Sequence, residues 1–98
     1  MKEQITIVVP IKAKAEKCDE VRRRLCELTR LTQQEEGNIN YTLHEETGKP
    51  GSFIIYENWR DQKALDFHMN QTYLKKFLSD ASELLTEEVR GTLCKIID

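Results

Sequence analysis

The chain has 98 residues, of which 39% are hydrophobic and 33% are charged, and its formal net charge is -2 at pH 7. This length predicts one domain over residues 1–98. It excludes dinucleotide-binding dehydrogenases, protein kinases and TIM barrels, which need longer chains. The slight acidic excess argues against a nucleic-acid partner, because binding to a phosphate backbone requires a basic surface.

The first part of the chain is predicted to form a strand and a helix. Apolar residues alternate along 4–12, as in a strand with one buried face. Pro10 cannot donate to a ladder, so it is expected at an edge or a bulge. From 16 to 35, apolar side chains recur at three- and four-residue steps, which predicts a helix that Gly37 ends.

The rest of the chain is predicted to form a hairpin, a bent helical region and a last strand. Along 38–45 and 52–59, successive side chains alternate between two faces, one of them mainly apolar. These two segments flank a turn rich in Gly and Pro, which is typical of an antiparallel hairpin. Asp61 is a suitable N-cap for a helix that bends near 70–72. A final strand is expected over 92–97.

The resulting order, β-α-β-β-α-β, predicts an α+β fold, the ferredoxin-like sandwich. Two helical regions can cover only one face of a four-stranded sheet, yet the strands at 4–12 and 52–59 carry apolar residues on both faces. A second copy of the chain is the simplest cover for an exposed apolar face. We therefore expect a homodimer in which the two sheets meet face to face.

Cysteine use and apolar run lengths indicate where the protein works. Cys18, Cys26 and Cys94 are odd in number and include no CxxC pair, which argues against a disulfide framework or a zinc site. Free thiols are typical of the reducing cytoplasm, and Cys18 and Cys94 are expected near the core. No apolar run approaches the ~20 residues that span a bilayer, so neither a membrane partner nor a signal peptide is expected.

Glycine-rich phosphate loops, nucleophile elbows and metal-ligand spacings are absent from the sequence. The candidates for chemistry are polar and aromatic side chains. Glu57 lies within an apolar strand, where a carboxyl is costly to bury without a partner, and Trp59 shares its face. His68 lies on the apolar side of its helix and is the best proton acceptor near neutral pH. Tyr41 and Tyr73 could donate hydrogen bonds to an oxyanion, and a structural role in the core is the alternative for each of these residues.

Three tracts carry a family resemblance: E-G-N-I-x-Y-x-L from Glu36, F-I-I-Y-E-x-W-x-D from Phe53, and A-L-x-x-H from Ala64. Together they resemble the antibiotic biosynthesis monooxygenase domain over almost the whole chain. The resemblance implies a dimeric α+β barrel with a pocket between sheet and helices. It also implies oxygenation of quinols or phenols, often without metal or flavin, so no cofactor is expected.

The resemblance also assigns site residues. Glu57, Trp59 and His68 match the family motif by position, and Tyr41 matches its aromatic strand position. We predict that His68 is the catalytic base and that Tyr41, Glu57, Trp59 and Tyr73 bind a small-molecule substrate. No residue is predicted to bind a metal.

The chain departs from two defined branches of that family. Aromatic polyketide oxygenases carry an asparagine four residues before the tryptophan, where this chain has Ile55, and haem-degrading relatives carry a first-strand asparagine that 4–12 lacks. Many members have a second histidine after a Thr-Pro pair, where Thr72 and Tyr73 stand here. Neither of these oxygenase mechanisms therefore transfers residue by residue.

A second branch, the isomerase of phosphorylated autoinducer-2, is similar in three short tracts, which are Glu35-Glu36-Gly37-Asn38, Ile55-Tyr56-Glu57 and Phe67-His68. Three hypotheses follow from the sequence. The first is a monooxygenase of a small quinol or phenol, the second an isomerase of a small phosphorylated ketone, and the third a non-catalytic dimer that binds a small ligand. Both enzyme hypotheses require proton abstraction by a base.

Overall fold

A single antiparallel sheet organises the computed structural model, which describes residues 3–98; the first two residues of the predicted domain lie outside the described range. The elements are β1 (Ile5–Lys12), a 3-10 turn (Ala15–Lys17), α1 (Cys18–Thr32), β2 (Asn38–Glu45), β3 (Ser52–Trp59), α2 (Gln62–Met69), α3 (Thr72–Leu84) and β4 (Thr92–Cys94). The strand order β2-β3-β1-β4 confirms the predicted ferredoxin-like α+β fold.

The core lies between one face of this sheet and the helices. β1 and β3 pair along their whole length, from Ile5 opposite Trp59 to Lys12 opposite Ser52. Alternate residues of both strands are buried against α1, α2 and α3. Each large apolar side chain buried in this way contributes about 1.5–3 kcal/mol, so the covered face supplies most of the stability.

The hairpin and the helix cap follow the sequence prediction. β2 and β3 have the predicted bounds and pair antiparallel, with a bulge at Ile39. Asp61 is the N-cap of α2, because its Oδ1 accepts a hydrogen bond of 2.9 Å from the backbone N–H of Ala64. The predicted bend separates α2 from α3 at residues 70–71.

The connection after α1 differs from the prediction. The helix ends at Thr32, before the predicted end at 35, and Gly37 does not have the left-handed φ of a terminating glycine. Residues 33–37 instead form a short turn, in which the N–H of Glu35 bonds to the carbonyl of Thr32 and the N–H of Asn38 to the carbonyl of Glu35. This turn carries Glu35 into the interior.

Gly37 is required by close packing rather than by helix termination. A Cβ on Gly37 would lie 2.2 Å from the Cβ of Ala64 on α2, which is closer than two non-bonded carbon atoms can approach. The carbonyl of Gly37 also accepts a hydrogen bond of 2.9 Å from the N–H of Arg60. The turn at 33–37 is therefore fixed against the start of α2.

The C-terminal strand is shorter than predicted. Only Thr92–Cys94 pairs with β1, opposite Thr6–Val8, and residues 95–98 lie outside the sheet. Cys94 is exposed rather than near the core, and Cys18 is only half-buried. Because β4 begins at Thr92, opposite Val8, β1 has no β4 partner at Pro10, which confirms the expected edge position.

The sheet face away from the helices is mixed in character. Ile54 and Tyr56 are exposed on it, as the apolar pattern on both faces of β3 predicted. Beside them Asn58 is buried, where its side chain accepts a hydrogen bond from the hydroxyl of Thr6 and donates one of 2.7 Å to Asn40. Within residues 3–98, no helix is long and apolar enough to cross a membrane.

We expect Gly37→Ala to destabilise the protein by about 1–3 kcal/mol, the usual cost of overpacking. Ala64→Gly removes the atom that the new methyl group meets, at about 1 kcal/mol for a glycine inside a helix. The free energy of unfolding should therefore fall by less in the double variant than the sum of its losses in the two single variants. Urea denaturation of the four proteins measures this coupling, and strict additivity would contradict the proposed contact.

Candidate functional site

A cavity of about 310 Å³ lies between the covered face of the sheet and the helices. Its walls are mostly apolar and come from β1, β2, β3, all three helices and residues 89–93. Three of the lining side chains, Met69, Leu78 and Leu93, are also exposed to solvent, so the cavity opens between them. The polar side chains on its wall are Tyr41, Glu57 and His68.

α2 holds His68 on the cavity wall. The cap at Asp61 fixes the start of the helix, and its buried face consists of Ala64, Leu65 and His68. Only 2% of the His68 surface is exposed. Its ring lies 4.6 Å from the Trp59 ring and 5.7 Å from the Tyr41 ring, measured between centroids. Two aromatic side chains therefore restrict the orientation of the imidazole.

The carboxyl of Glu35 bonds to the back of this imidazole. Its Oε2 lies 2.9 Å from the Nδ1 of His68 and accepts a second hydrogen bond from the hydroxyl of Tyr73 on α3. Both His68 and Glu35 have side chains that are almost completely buried. Burial, together with the hydrogen bond to Glu35 and its charge, raises the pKa of Tyr73 and keeps its hydroxyl a donor.

Glu57 is a second buried carboxyl, which β3 places on the cavity wall. The indole N–H of Trp59 donates a hydrogen bond of 2.8 Å to its Oε1. That bond favours the ionised form, but burial outweighs it, and with the nearby charge of Glu35 raises the pKa of Glu57 to about 7. Glu57 can therefore both give and accept a proton near neutral pH.

Tyr41 contributes a neutral hydroxyl. It is buried on β2, and burial, with the negative charges of Glu57 and Glu35, raises its pKa well above the ordinary value. At neutral pH the hydroxyl remains protonated and can donate a hydrogen bond to a group in the cavity.

The five residues named from the sequence fall into two groups. Tyr41, Glu57 and His68 line the cavity together. Trp59 is fully buried behind them, where it contacts the His68 ring and bonds to Glu57. Tyr73 lies on the far side of Glu35, on the wall of an outer groove that Arg60 and Lys63 also line.

Sequence reasoning missed Glu35 as a site residue. It was assigned to the end of a helix, where a charged side chain is usually solvated. The one available signal was the Glu35-Glu36-Gly37-Asn38 tract shared with the isomerase branch. Among residues 3–98, no three His, Cys, Asp or Glu side chains come together in an arrangement that could hold a metal ion.

Comparison with known proteins identifies the family. The sequence profile described as antibiotic biosynthesis monooxygenase matches residues 4–80. A protein of Bacillus subtilis (strain 168) named "Putative monooxygenase YcnE" is 33% identical over 82 residues, which cover 84% of this chain and 86% of that protein. The chain belongs to the antibiotic biosynthesis monooxygenase family.

Solved structures share the fold of this chain. The crystal structure of PA3566 from Pseudomonas aeruginosa has a TM-score of 0.92 at 26% identity and covers 100% of this chain and 98% of that one. A conserved protein from Methanosarcina mazei Go1 has a TM-score of 0.85 at 28% identity, covering 95% of this chain and 92% of that one. The family and the named relative support monooxygenase chemistry as the class of activity, and these names specify no substrate.

The raised pKa of Glu57 predicts a pH-dependent stability. The folded state keeps the carboxyl proton up to about pH 7, whereas the ordinary value is 4.5, so the folded state binds more protons between these values. Stability is therefore lost as pH rises through this window, by up to about 3 kcal/mol. Glu57→Gln keeps an acceptor for Trp59 but does not ionise, so it should unfold at higher urea than the wild type at pH 8. At pH 5 the difference should shrink, and an equal difference at both pH values would contradict the shift.

Proposed function

We propose that the protein is a monooxygenase that oxidises a small quinol or phenol, with His68 as the base. One observation carries the proposal: a buried histidine lies on the wall of an apolar cavity, with its Nδ1 bonded to a carboxyl. A histidine held in this way presents its other ring nitrogen as a proton acceptor.

The size and lining of the cavity support a small aromatic substrate. About 310 Å³ is at the lower end of the range for ligand pockets, and apolar walls suit an aromatic ring. The hydroxyl of Tyr41 can bind the oxygen of a deprotonated substrate, and the scarcity of polar groups limits the water that competes for it.

The proposed reaction requires electrons only from the substrate. His68 takes the hydroxyl proton, and the resulting anion gives one electron to dioxygen. The substrate radical and superoxide then form a carbon–oxygen bond at a ring carbon that bears hydrogen. The O–O bond of this peroxide breaks as the ring carbon gives up its hydrogen and becomes a carbonyl, and the outer oxygen leaves as hydroxide with that hydrogen. The proton on His68 converts the hydroxide to water. A quinol and dioxygen thus become a hydroxyquinone and water, and the substrate supplies all the reducing electrons.

A second candidate is an isomerase of a small phosphorylated ketone, and the position of Glu57 favours it. Isomerisation of a ketone removes a proton from the carbon beside the carbonyl and returns a proton elsewhere, so it needs a base and an acid. His68 and Glu57 face the same cavity and could fill these two roles. The isomerase would consume no oxygen, so an oxygen electrode separates the two candidates.

We further propose that residues 1–98 act as one domain, in a cytoplasmic homodimer whose open sheet faces meet. The exposed apolar side chains of Ile54 and Tyr56 support this arrangement, since they lie next to the partly buried Val8 on the same face. The free thiols of the three cysteines support a reducing compartment.

We expect His68→Asn to lower oxygen consumption with a quinol by about 10²–10⁴-fold, the usual contribution of a general base. The exposed His44, which lies on β2 away from the cavity, provides the matched control, and His44→Asn should leave the rate unchanged. Because His44 is paired with Ile54 on the open sheet face, light scattering checks that this variant has the same mass in solution as the wild type. A panel of benzene and naphthalene quinols in an oxygen electrode measures the rates, and circular dichroism checks the fold of each variant. Wild-type turnover by His68→Asn would remove this residue from the mechanism.

Light scattering after size-exclusion chromatography tests the dimer. The wild type should have twice the mass of one chain at micromolar concentration, and Ile54→Glu should shift it toward the monomer, because a charge would be buried at the interface. Leu31→Glu, an equal change at an exposed position on α1, should keep the dimer. A wild type that is folded and monomeric would contradict the proposal.

A further inference from the structure

We propose that Glu35 is the positioning residue for His68 and that Tyr73 holds Glu35 in place. The carboxylate would keep His68 in the tautomer with the proton on Nδ1, so that Nε2 faces the cavity as the acceptor. It would also stabilise the imidazolium that forms when His68 takes a proton. This inference rests on the proposed role of His68 as the base.

Two side chains from separate helices bond to one oxygen atom of Glu35. Oε2 of Glu35, from the turn after α1, lies 2.9 Å from Nδ1 of His68 on α2 and bonds to the hydroxyl of Tyr73 on α3. Hydrogen bonds to a buried charged acceptor are short and strong. Tyr73 thus restricts the carboxyl, and the carboxyl restricts the imidazole.

The hydrogen bonds of Glu35 are concentrated on one of its two oxygens. Oε2 accepts from the hydroxyl of Tyr73 and lies 2.9 Å from Nδ1 of His68, whereas Oε1 is buried and has no hydrogen-bond partner among residues 3–98. A carboxylate that accepts from both Tyr73 and His68 satisfies the donors that are present.

Few positive charges lie near the Glu35 carboxylate. Within the described part of the chain, the only basic side chain within 4 Å of its oxygens is His68. A buried carboxylate without a cation is costly, and proton uptake by His68 supplies that cation. In the proposed mechanism the Glu35 carboxylate stabilises the imidazolium that forms when His68 takes the substrate proton, as the buried aspartate does in a serine protease triad.

Other titratable groups also face His68. Glu57 from β3 and Tyr41 from β2 share the cavity wall with it, and Tyr73 from α3 reaches it through Glu35. An ionised Glu57 would stabilise the imidazolium as well. The effect of Glu35 is therefore measured twice, in the wild type and in a Glu57→Gln background, where that second charge is absent.

Nitrogen NMR of the imidazole rings tests the tautomer without any substrate. In ¹⁵N-labelled protein at pH 8, we expect His68 to carry its proton on Nδ1 and to have an unprotonated Nε2. In Glu35→Gln, whose amide can donate as well as accept, the Nε2–H tautomer should become populated. A wild-type His68 with its proton mainly on Nε2 would overturn the inference, whatever the substrate of the protein.

Kinetics test the consequence for catalysis. We expect Glu35→Gln to lower kcat by about 10²–10⁴-fold with little change in KM, as loss of the orienting carboxylate does in hydrolytic triads. Tyr73→Phe, which keeps the ring but removes the donor, should lower kcat by about tenfold, because one hydrogen bond is lost. Glu36→Gln removes the same charge from the exposed neighbouring residue and should leave kcat unchanged.

The outcomes separate this inference from the proposed function. If His68→Asn abolishes turnover and Glu35→Gln keeps the wild-type kcat, the role of Glu35 is wrong and the role of His68 stands. If His68→Asn retains turnover, the proposed function is wrong, and so is the catalytic role of Glu35. NMR still tests whether Glu35 fixes the tautomer of His68. If Glu35→Gln does not fold, Tyr73→Phe replaces it, and an unchanged kcat and tautomer in that variant would overturn the inference.

Discussion

A four-stranded sheet has two faces, and this chain has helices for only one of them. That constraint determines where everything else lies. The covered face supplies the core and the cavity, whereas the other face carries exposed Ile54 and Tyr56 beside a hydrogen-bonded cluster around Asn58. A short chain thereby keeps the cavity and the open apolar face on opposite sides of one sheet, so the proposed chemistry and the proposed association use different surfaces.

The covered side of the sheet buries two carboxyl groups, which costs free energy that a purely apolar core would not lose. Glu35 and Glu57 are buried carboxyls in contact with aromatic and imidazole rings, and Oε1 of Glu35 has no partner among the described residues. Replacing such groups with apolar side chains is often neutral or stabilising. Proteins retain costly buried polar groups mainly at functional sites, which agrees with the placement of both carboxyls around His68.

The sequence was sufficient for features that depend on local pattern. Alternation along β2 and β3 defined both strands, and the N-cap at Asp61 follows from a side chain that bonds to its own helix. Other features depend on distant residues. Ile96 and Ile97 continue an apolar run but have no strand to pair with, so β4 ends at Cys94.

The same limit applies to the site. Glu57 and His68 could be named because a charged or titratable side chain is unusual on an apolar face, and Tyr41 because it matches the aromatic strand position of the family that the sequence resembles. The role of Glu35 depends on a contact with His68 across 33 positions of sequence, and helical periodicity placed it on a solvated helix end. Tyr73 was named as a substrate-binding residue, whereas its hydroxyl bonds to Glu35, a residue 38 positions away in sequence that no local pattern connects with it.

The mouth of the cavity and its proton-handling groups come from different positions. Met69, Leu78 and Leu93 form the rim, and none of them bonds to His68, Glu35 or Glu57 through a side-chain hydrogen bond. Single apolar replacements at the rim would therefore change the shape of the entrance and leave the hydrogen bonds of the residues behind it in place. Under the proposed function, such replacements would alter which substrates enter and not the base that acts on them.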